Sequence, residues 1–180
     1  MIWKTLSSKY LSKHIYFTAR EDRCQMPNGQ IVDPYFVVEL PTSVCALAIT
    51  SDNEVILVKQ YRHPIEAIIL ELPGGFVDKG ESSEKAIARE LLEETGYEFS
   101  AVHFVGRVAA NPGVLDNYTD LYLATGGKNI SAQDLDDNEE IEIKLFPLAE
   151  VKEMLMKNEF KQALHATCLF YAFNKLDSLK

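Results

Sequence analysis

Three glutamates carry the first chemistry visible in this chain. On a helical wheel turning ~100° per residue, with Glu90 at zero, Glu94 falls at about 40° and Glu93 at about −60°, so three carboxylates share an arc of roughly 100°. The same arc carries Ser83 and Ala86 and no lysine. Like charges so placed repel in an isolated helix, and small neighbours leave room for a hydrated cation that prefers oxygen ligands, as Mg²⁺ does. An acid-rich solvated face is the alternative reading. Just upstream, Gly74-Gly75 lets the backbone approach closely, so that a carbonyl can join the carboxylates. Arg89, beside Glu93 on the wheel, can hold that carboxylate in one orientation.

A second acidic stretch is Asp134-Leu135-Asp136-Asp137-Asn138-Glu139-Glu140-Ile141-Glu142. It begins like an EF-hand, but the positions that need Gly and a closing Glu are Glu139 and Leu145, so that reading fails. A solvated loop is the plain alternative. Gly126-Gly127-Lys128 lacks the spacing of a phosphate-binding loop and reads as a turn. His14, His63, His103 and His165 are scattered, and none pairs with a plausible nucleophile.

The spacing around the glutamates is specific. From Gly75 five residues lead to Glu81, seven more to Arg89-Glu90-Leu91, then come Glu93-Glu94 and Gly96-Tyr97. This resembles the complete signature of the Nudix hydrolases, and the likeness extends over roughly residues 42 to 180. The resemblance implies a mixed α+β sheet in a Nudix α/β/α sandwich, with the signature forming a loop–helix–loop that binds Mg²⁺ or Mn²⁺, and hydrolysis of a nucleoside diphosphate linked to another group. Carried over residue by residue, it makes Glu90 and Glu94 metal ligands with the Gly74 carbonyl a third, Glu93 a further ligand or a base, and Glu81 with Arg89 the pair bracing loop to helix, with Gly75 and Gly96 as structural supports.

Further segments resemble the ADP-ribose pyrophosphatase and nucleoside-diphosphate-sugar branch. Gln60-Tyr61-Arg62-His63-Pro64 is similar to a segment upstream of the signature there, and Arg62 would supply planar donors for a phosphate. Glu71-Leu72-Pro73 resembles this branch as well. Pro112, sixteen residues after Gly96, is similar to its marker proline, although Asn111-Pro112-Gly113 stands where Ser-Pro-Gly is common and Val114-Leu115-Asp116-Asn117 replaces the usual acidic continuation. By the same resemblance Glu139 is a metal-binding and catalytic acid and Asp137 a base, with Glu140 a possible substitute. The implied partner is a nucleoside diphosphate sugar. Hydrolysis of GDP-mannose or a dinucleotide, or a catalytically silent ligand sensor, are the alternatives; the intact signature argues against the last.

The elements that must position these residues are legible in outline. The first forty residues read as an antiparallel β-subdomain, with strands at 14–19 and 35–40 around the turn signal Pro27-Asn28-Gly29. Residues 1–41 are expected to be a meander that pairs two subunits and shapes a base pocket, and 42–180 the hydrolase domain. Val44–Thr50 and Glu54–Gln60 read as a hairpin around Ser51-Asp52-Asn53. A helix follows from Ser82 to Thr95, with Ser82 or Ser83 as cap, Gly96 as stop, and Ile87, Ala88, Leu91 and Leu92 on its apolar side. Strands are expected over 99–109, 120–124 and 141–146, then helices over 148–156 and 160–175. The chain has 180 residues, 47% hydrophobic and 25% charged, which excludes a disordered or fibrous protein. A net charge of −9 argues against nucleic acid as the main partner. Three dispersed cysteines suit a reducing compartment, and no run has the length of a signal core or membrane span, so a cytoplasmic homodimer without membrane contact is expected.

Overall fold

The structure, a computed structural model, describes residues 1–14 and 17–179. It divides into two units, one of residues 1–41 with 109–118, the other of residues 42–108 with 119 onward.

The first unit is a three-stranded antiparallel sheet of β1 (Lys4–Ser12), β2 (Thr18–Gln25) and β3 (Ile31–Glu39), in that order. The turn between β2 and β3 falls on Asn28-Gly29, where the Asn28 Oδ1 accepts the Gln30 N–H at 3.0 Å. The segment 109–118 runs beside β3: Val38 donates to the Val114 carbonyl at 2.8 Å and receives the Asp116 N–H at 3.2 Å. Two differences from the sequence reading stand out. The strand expected over 14–19 lies partly outside the described residues, at Ile15 and Tyr16, and the strand begins at Thr18 and runs on through charged residues to Gln25. β1 lies within the expected meander but ahead of the strands delimited from the sequence, and its pairing with β2 shifts register between Thr5 and Ser7 and between Tyr10 and Ser12.

The second unit contains a seven-stranded mixed sheet built from β4 (Ser43–Thr50), β5 (Glu54–Arg62), β6 (Ala67–Glu71), β7 (Tyr97–Glu98), β8 (Ala101–Val108), β9 (Thr119–Asn129) and β10 (Glu142–Pro147). The order is β10-β5-β4-β9-β7, with β6 on β5 and β8 on β9; β4 and β9 are parallel and the other pairs antiparallel. Alternation assigns the two faces. Cys45, Leu47 and Ile49 of β4, Val55 and Leu57 of β5 and Leu121 and Leu123 of β9 meet Val151, Leu155, Leu169 and Phe173 from α2 (Leu148–Met156) and α3 (Ala163–Ser178). Val44, Ala46, Ala48, Ile56, Tyr122 and Ala124 meet Ala86, Ile87 and Leu91 of α1 (Ser83–Thr95). Strands buried on both faces therefore read as unbroken apolar runs, and the result is an α/β/α sandwich.

β6 also escaped the sequence reading. Pro64 sits in a short 3₁₀ turn over His63–Ile65, and Glu66 at φ 49° turns the chain back so that Ala67–Glu71 pairs with the end of β5. Gly126-Gly127-Lys128 is not a turn: it lies inside β9, where Gly126 takes φ 69° at an irregularity in the pairing with β4. All three cysteines are buried free thiols. Among the described residues no helix is long and apolar enough to cross a membrane.

Candidate active site

Helix α1 is anchored at both ends. The Ser82 side chain accepts the Lys85 N–H at 3.3 Å, and Gly96, at φ 72°, donates its N–H to the Leu92 carbonyl at 2.8 Å. Its buried residues are Ala86, Ile87, Leu91, Glu94 and Thr95, whereas Ala88 and Leu92 are exposed. The expected apolar side is thus rotated. The buried stripe is centred near Glu94, at about 60° on the same wheel, because the Gly74-Gly75 loop covers that carboxylate.

The loop makes that cover possible by running against β4. The Pro73 and Gly75 carbonyls accept the Ala46 and Val44 N–H groups at 3.1 and 2.8 Å. A side chain at Gly74 would collide with the Val44 carbonyl. Gly74 donates its own N–H to Glu94 Oε2 at 2.8 Å, and its carbonyl has no hydrogen-bond partner among the described residues. A Cβ at Gly75 would lie 2.5 Å from Glu90 Oε1, so the missing side chain is the space that the Glu90 carboxylate fills.

One guanidinium organises the remaining acids. Arg89 donates Nε and Nη2 to the two Glu81 oxygens at 3.2 and 3.1 Å, Nη2 to the Phe76 carbonyl at 3.0 Å, and Nη1 to Glu90 at 2.9 Å and Glu93 at 2.8 Å. Its hydrogen bonds hold the Glu81 carboxyl below the usual range. Burial has the opposite effect deeper in. Desolvation pushes Glu90 up to about 7, against the pull of Arg89, and pushes Glu94 up to about 8, against the Gly74 N–H; the charge of Glu139 adds to both.

That coupling shows where the β9–β10 loop sits. It hangs from the end of α1: Gln133 Nε2 donates to the Glu94 carbonyl at 2.7 Å and the Asp134 N–H to the Glu93 carbonyl at 2.9 Å. Glu139 closes a small turn, its N–H bonded to the Asp136 carbonyl at 2.9 Å and its Oε2 accepting the Asp136 N–H at 3.2 Å. Asp137, Glu139 and Glu140 are exposed, and Glu140 lines a cavity of about 200 Å³ with Lys59, Gln60, Tyr61 and Ile68.

Arg62, at the end of β5, donates Nε to Glu71 Oε2 at 2.7 Å, and its charge counters the rise at Glu94. Glu71 is 1% exposed. His165 of α3, also buried, accepts the Leu72 N–H at Nδ1 at 3.2 Å. Neither Glu71 nor His165 stood out as a site residue in the sequence. The signal for Glu71 was its place beside Leu72-Pro73; His165 has none, since its partners are remote. Pro112 lies in the first unit, on the segment beside β3.

The donor set suits a hard divalent cation. Two carboxylates raised by burial and by neighbouring acids, next to an unengaged carbonyl, are all-oxygen ligands whose charge a cation would compensate. Among the described residues no three acidic, His or Cys side chains already converge on one point; Glu90 and Glu93 share the Arg89 Nη1.

A model of the NUDIX domain matches residues 39–167, and one of the nucleoside diphosphate sugar hydrolase N-terminal domain matches residues 3–38. An ADP-ribose pyrophosphatase of Bacillus subtilis is 30% identical over 175 residues, covering 93% of this chain and 94% of its own. A methanol dehydrogenase activator of Bacillus methanolicus is 35% identical over 141 residues, covering 78% and 76%. A crystal structure of an ADP compounds hydrolase superposes with a TM-score of 0.86 at 24% identity, over 99% of this chain and 96% of that one. Nudix hydrolases generally use divalent metal ions. With a family model spanning most of the chain and a relative matched nearly end to end, this protein belongs to the Nudix family and is a pyrophosphohydrolase.

Proposed function

We propose that the protein hydrolyses the pyrophosphate of ADP-ribose, or of a closely related nucleoside diphosphate sugar, to a nucleoside monophosphate and a sugar phosphate. The observation that carries this reading is the buried carboxylate pair Glu90 and Glu94, raised to about 7 and about 8 beside the free Gly74 carbonyl. The ADP-ribose pyrophosphatase relatives of Bacillus subtilis and Mycobacterium tuberculosis, each 30% identical, support the choice of substrate.

Mg²⁺, or Mn²⁺, bound here would neutralise diphosphate charge and make water a better nucleophile. Glu90, Glu94 and the Gly74 carbonyl would hold it, with Glu139 completing the set from the loop. Glu93, Asp137 and Glu139 are the carboxylates assigned to take the proton of the attacking water, with Glu140 in reserve. Arg62 grips the diphosphate, and Pro112 contributes to substrate binding. Glu81, Arg89, Gly75 and Gly96 keep loop and helix in place. Residues 1–41 pair two subunits and shape the base pocket, while 42–180 carry the hydrolase. Addition of water across the phosphoanhydride of ADP-ribose then gives AMP and ribose 5-phosphate.

The test is a panel of nucleotide sugars and dinucleotides with Mg²⁺ and then Mn²⁺, read as phosphate released by an added phosphatase. ADP-ribose should give the highest kcat/KM, with AMP and ribose 5-phosphate as products. GDP-mannose or a dinucleotide outcompeting ADP-ribose overturns the reading.

A further inference from the structure

We propose that Glu71 is a positioning residue that holds Arg62 ready for the substrate's diphosphate; this rests on the reading of the protein as a nucleoside diphosphate sugar pyrophosphohydrolase. Glu71 ends β6 with its side chain 2% exposed, and Arg62 ends β5 with its side chain 47% exposed. Their Nε–Oε2 contact of 2.7 Å joins a buried carboxylate to a half-exposed guanidinium. A carboxylate this deep needs a cation, and the neighbourhood offers one. His165 Nδ1 is 3.8 Å from Glu71 Oε1, but that nitrogen already accepts the Leu72 N–H, and burial pushes the imidazole down to about 3, so it stays neutral. Glu71 is therefore committed to Arg62.

The consequence lies at the other edge of the guanidinium. With Nε engaged, the two Nη groups of this half-exposed side chain have no hydrogen-bond partner among the described residues, and they form a planar fork suited to phosphate oxygens. A free arginine would lose rotamer freedom on binding, whereas this one is already ordered by Glu71. Loss of Glu71 should weaken the hold on the diphosphate and leave the carboxylates of α1 untouched.

The test is steady-state kinetics on ADP-ribose with Glu71→Gln, Arg62→Lys, Arg62→Ala and the double variant Glu71→Gln/Arg62→Ala, with thermal melting of each. Glu71→Gln should raise KM about tenfold and keep kcat within about twofold, as expected when binding common to ground and transition states is lost. In the Arg62→Ala background the same change should raise KM no further, and it should recover melting temperature, because Arg62→Ala alone strands a buried carboxylate. Arg62→Lys retains a cation for Glu71 without the fork, so it should melt like wild type and still raise KM. Equal KM losses from Glu71→Gln with and without Arg62, or a fall in kcat at unchanged KM, would overturn the positioning role. Calorimetric titration with ADP in Mg²⁺ reads the diphosphate grip without turnover. A wild type that leaves ADP-ribose intact defeats the functional reading, whereas Glu71→Gln binding ADP like wild type defeats this inference.

Discussion

Glu94 concentrates the conflict on which the site depends. Its carboxylate is 4% exposed, bonded to the Gly74 N–H, and faces the charges of Glu90 and Glu139. Neutralising it removes a proposed metal ligand and relieves repulsion at once. Glu94→Gln should therefore abolish most turnover while the metal-free protein melts at an equal or higher temperature, and the melting shift produced by Mg²⁺ should shrink. Full activity in this variant would remove Glu94 from the site. The same groups set a pH dependence. Folding raises Glu94 from 4.5 to about 8 and Glu90 from 4.5 to about 7, so within those windows the folded state binds more protons than the unfolded one, and stability falls as pH rises. His165, lowered from 6.5 to about 3, acts with the opposite sign below 6.5. Between pH 6.5 and 8 the acids act without that opposition. Denaturant titrations in chelator should show a declining unfolding free energy over that range, and Glu94→Gln should flatten the decline.

At the scale of elements, the decisive join is between α1 and the β9–β10 loop. Gln133 and Asp134 suspend the loop from the last turn of the helix, and Glu139 closes the turn that follows. The loop thus brings a fourth acid toward Glu90 and Glu94 while its tip stays exposed. If it completes the metal shell when substrate is bound, as proposed, its action falls mainly in the transition state. Glu139→Gln should then lower kcat far more than it raises KM, and Asp137→Asn and Glu140→Gln, measured alongside, identify which loop acid takes the proton. Wild-type turnover in Glu139→Gln would exclude the loop from the chemistry.

For the whole molecule, the first unit raises the question of assembly. It leaves Leu6, Tyr10, Leu11 and Phe36 of its strands exposed, with Trp3 and Phe17 beside them in sequence, an apolar load that a lone three-stranded sheet does not bury. A homodimer formed through residues 1–41 is the expected outcome. Light scattering at micromolar protein should return twice the chain mass, and replacing Leu6 and Tyr10 together by serine should shift it to the single-chain mass. A monomer in the wild-type protein would reject the dimer.

What the sequence determined by itself is local. The caps of α1, the hairpin turns at Asn28-Gly29 and Ser51–Asn53, the apolar runs of β4, β5 and β9, and the placing of Glu90, Glu93 and Glu94 on one arc of α1 all follow from neighbours a few residues apart, because side-chain size, backbone freedom and helical period act over that range. Tertiary structure decided what depends on remote contacts. Which side of α1 is buried is set by the sheet on which Ala86, Ile87 and Leu91 pack and by the Gly74 N–H bonded to Glu94, and β1 pairs with β2 through two register shifts. The neutral state of His165 follows from burial and from the charge of Arg62, while its Nδ1 accepts the N–H of Leu72, 93 residues away. Arg62 belongs to both levels: its residue type and segment marked it as a phosphate ligand, but only the fold supplied Glu71 at 2.7 Å and so the direction in which it is held. Burial, which raises Glu90 and Glu94, is a property of the packed sheet and loop, and no spacing along the chain encodes it.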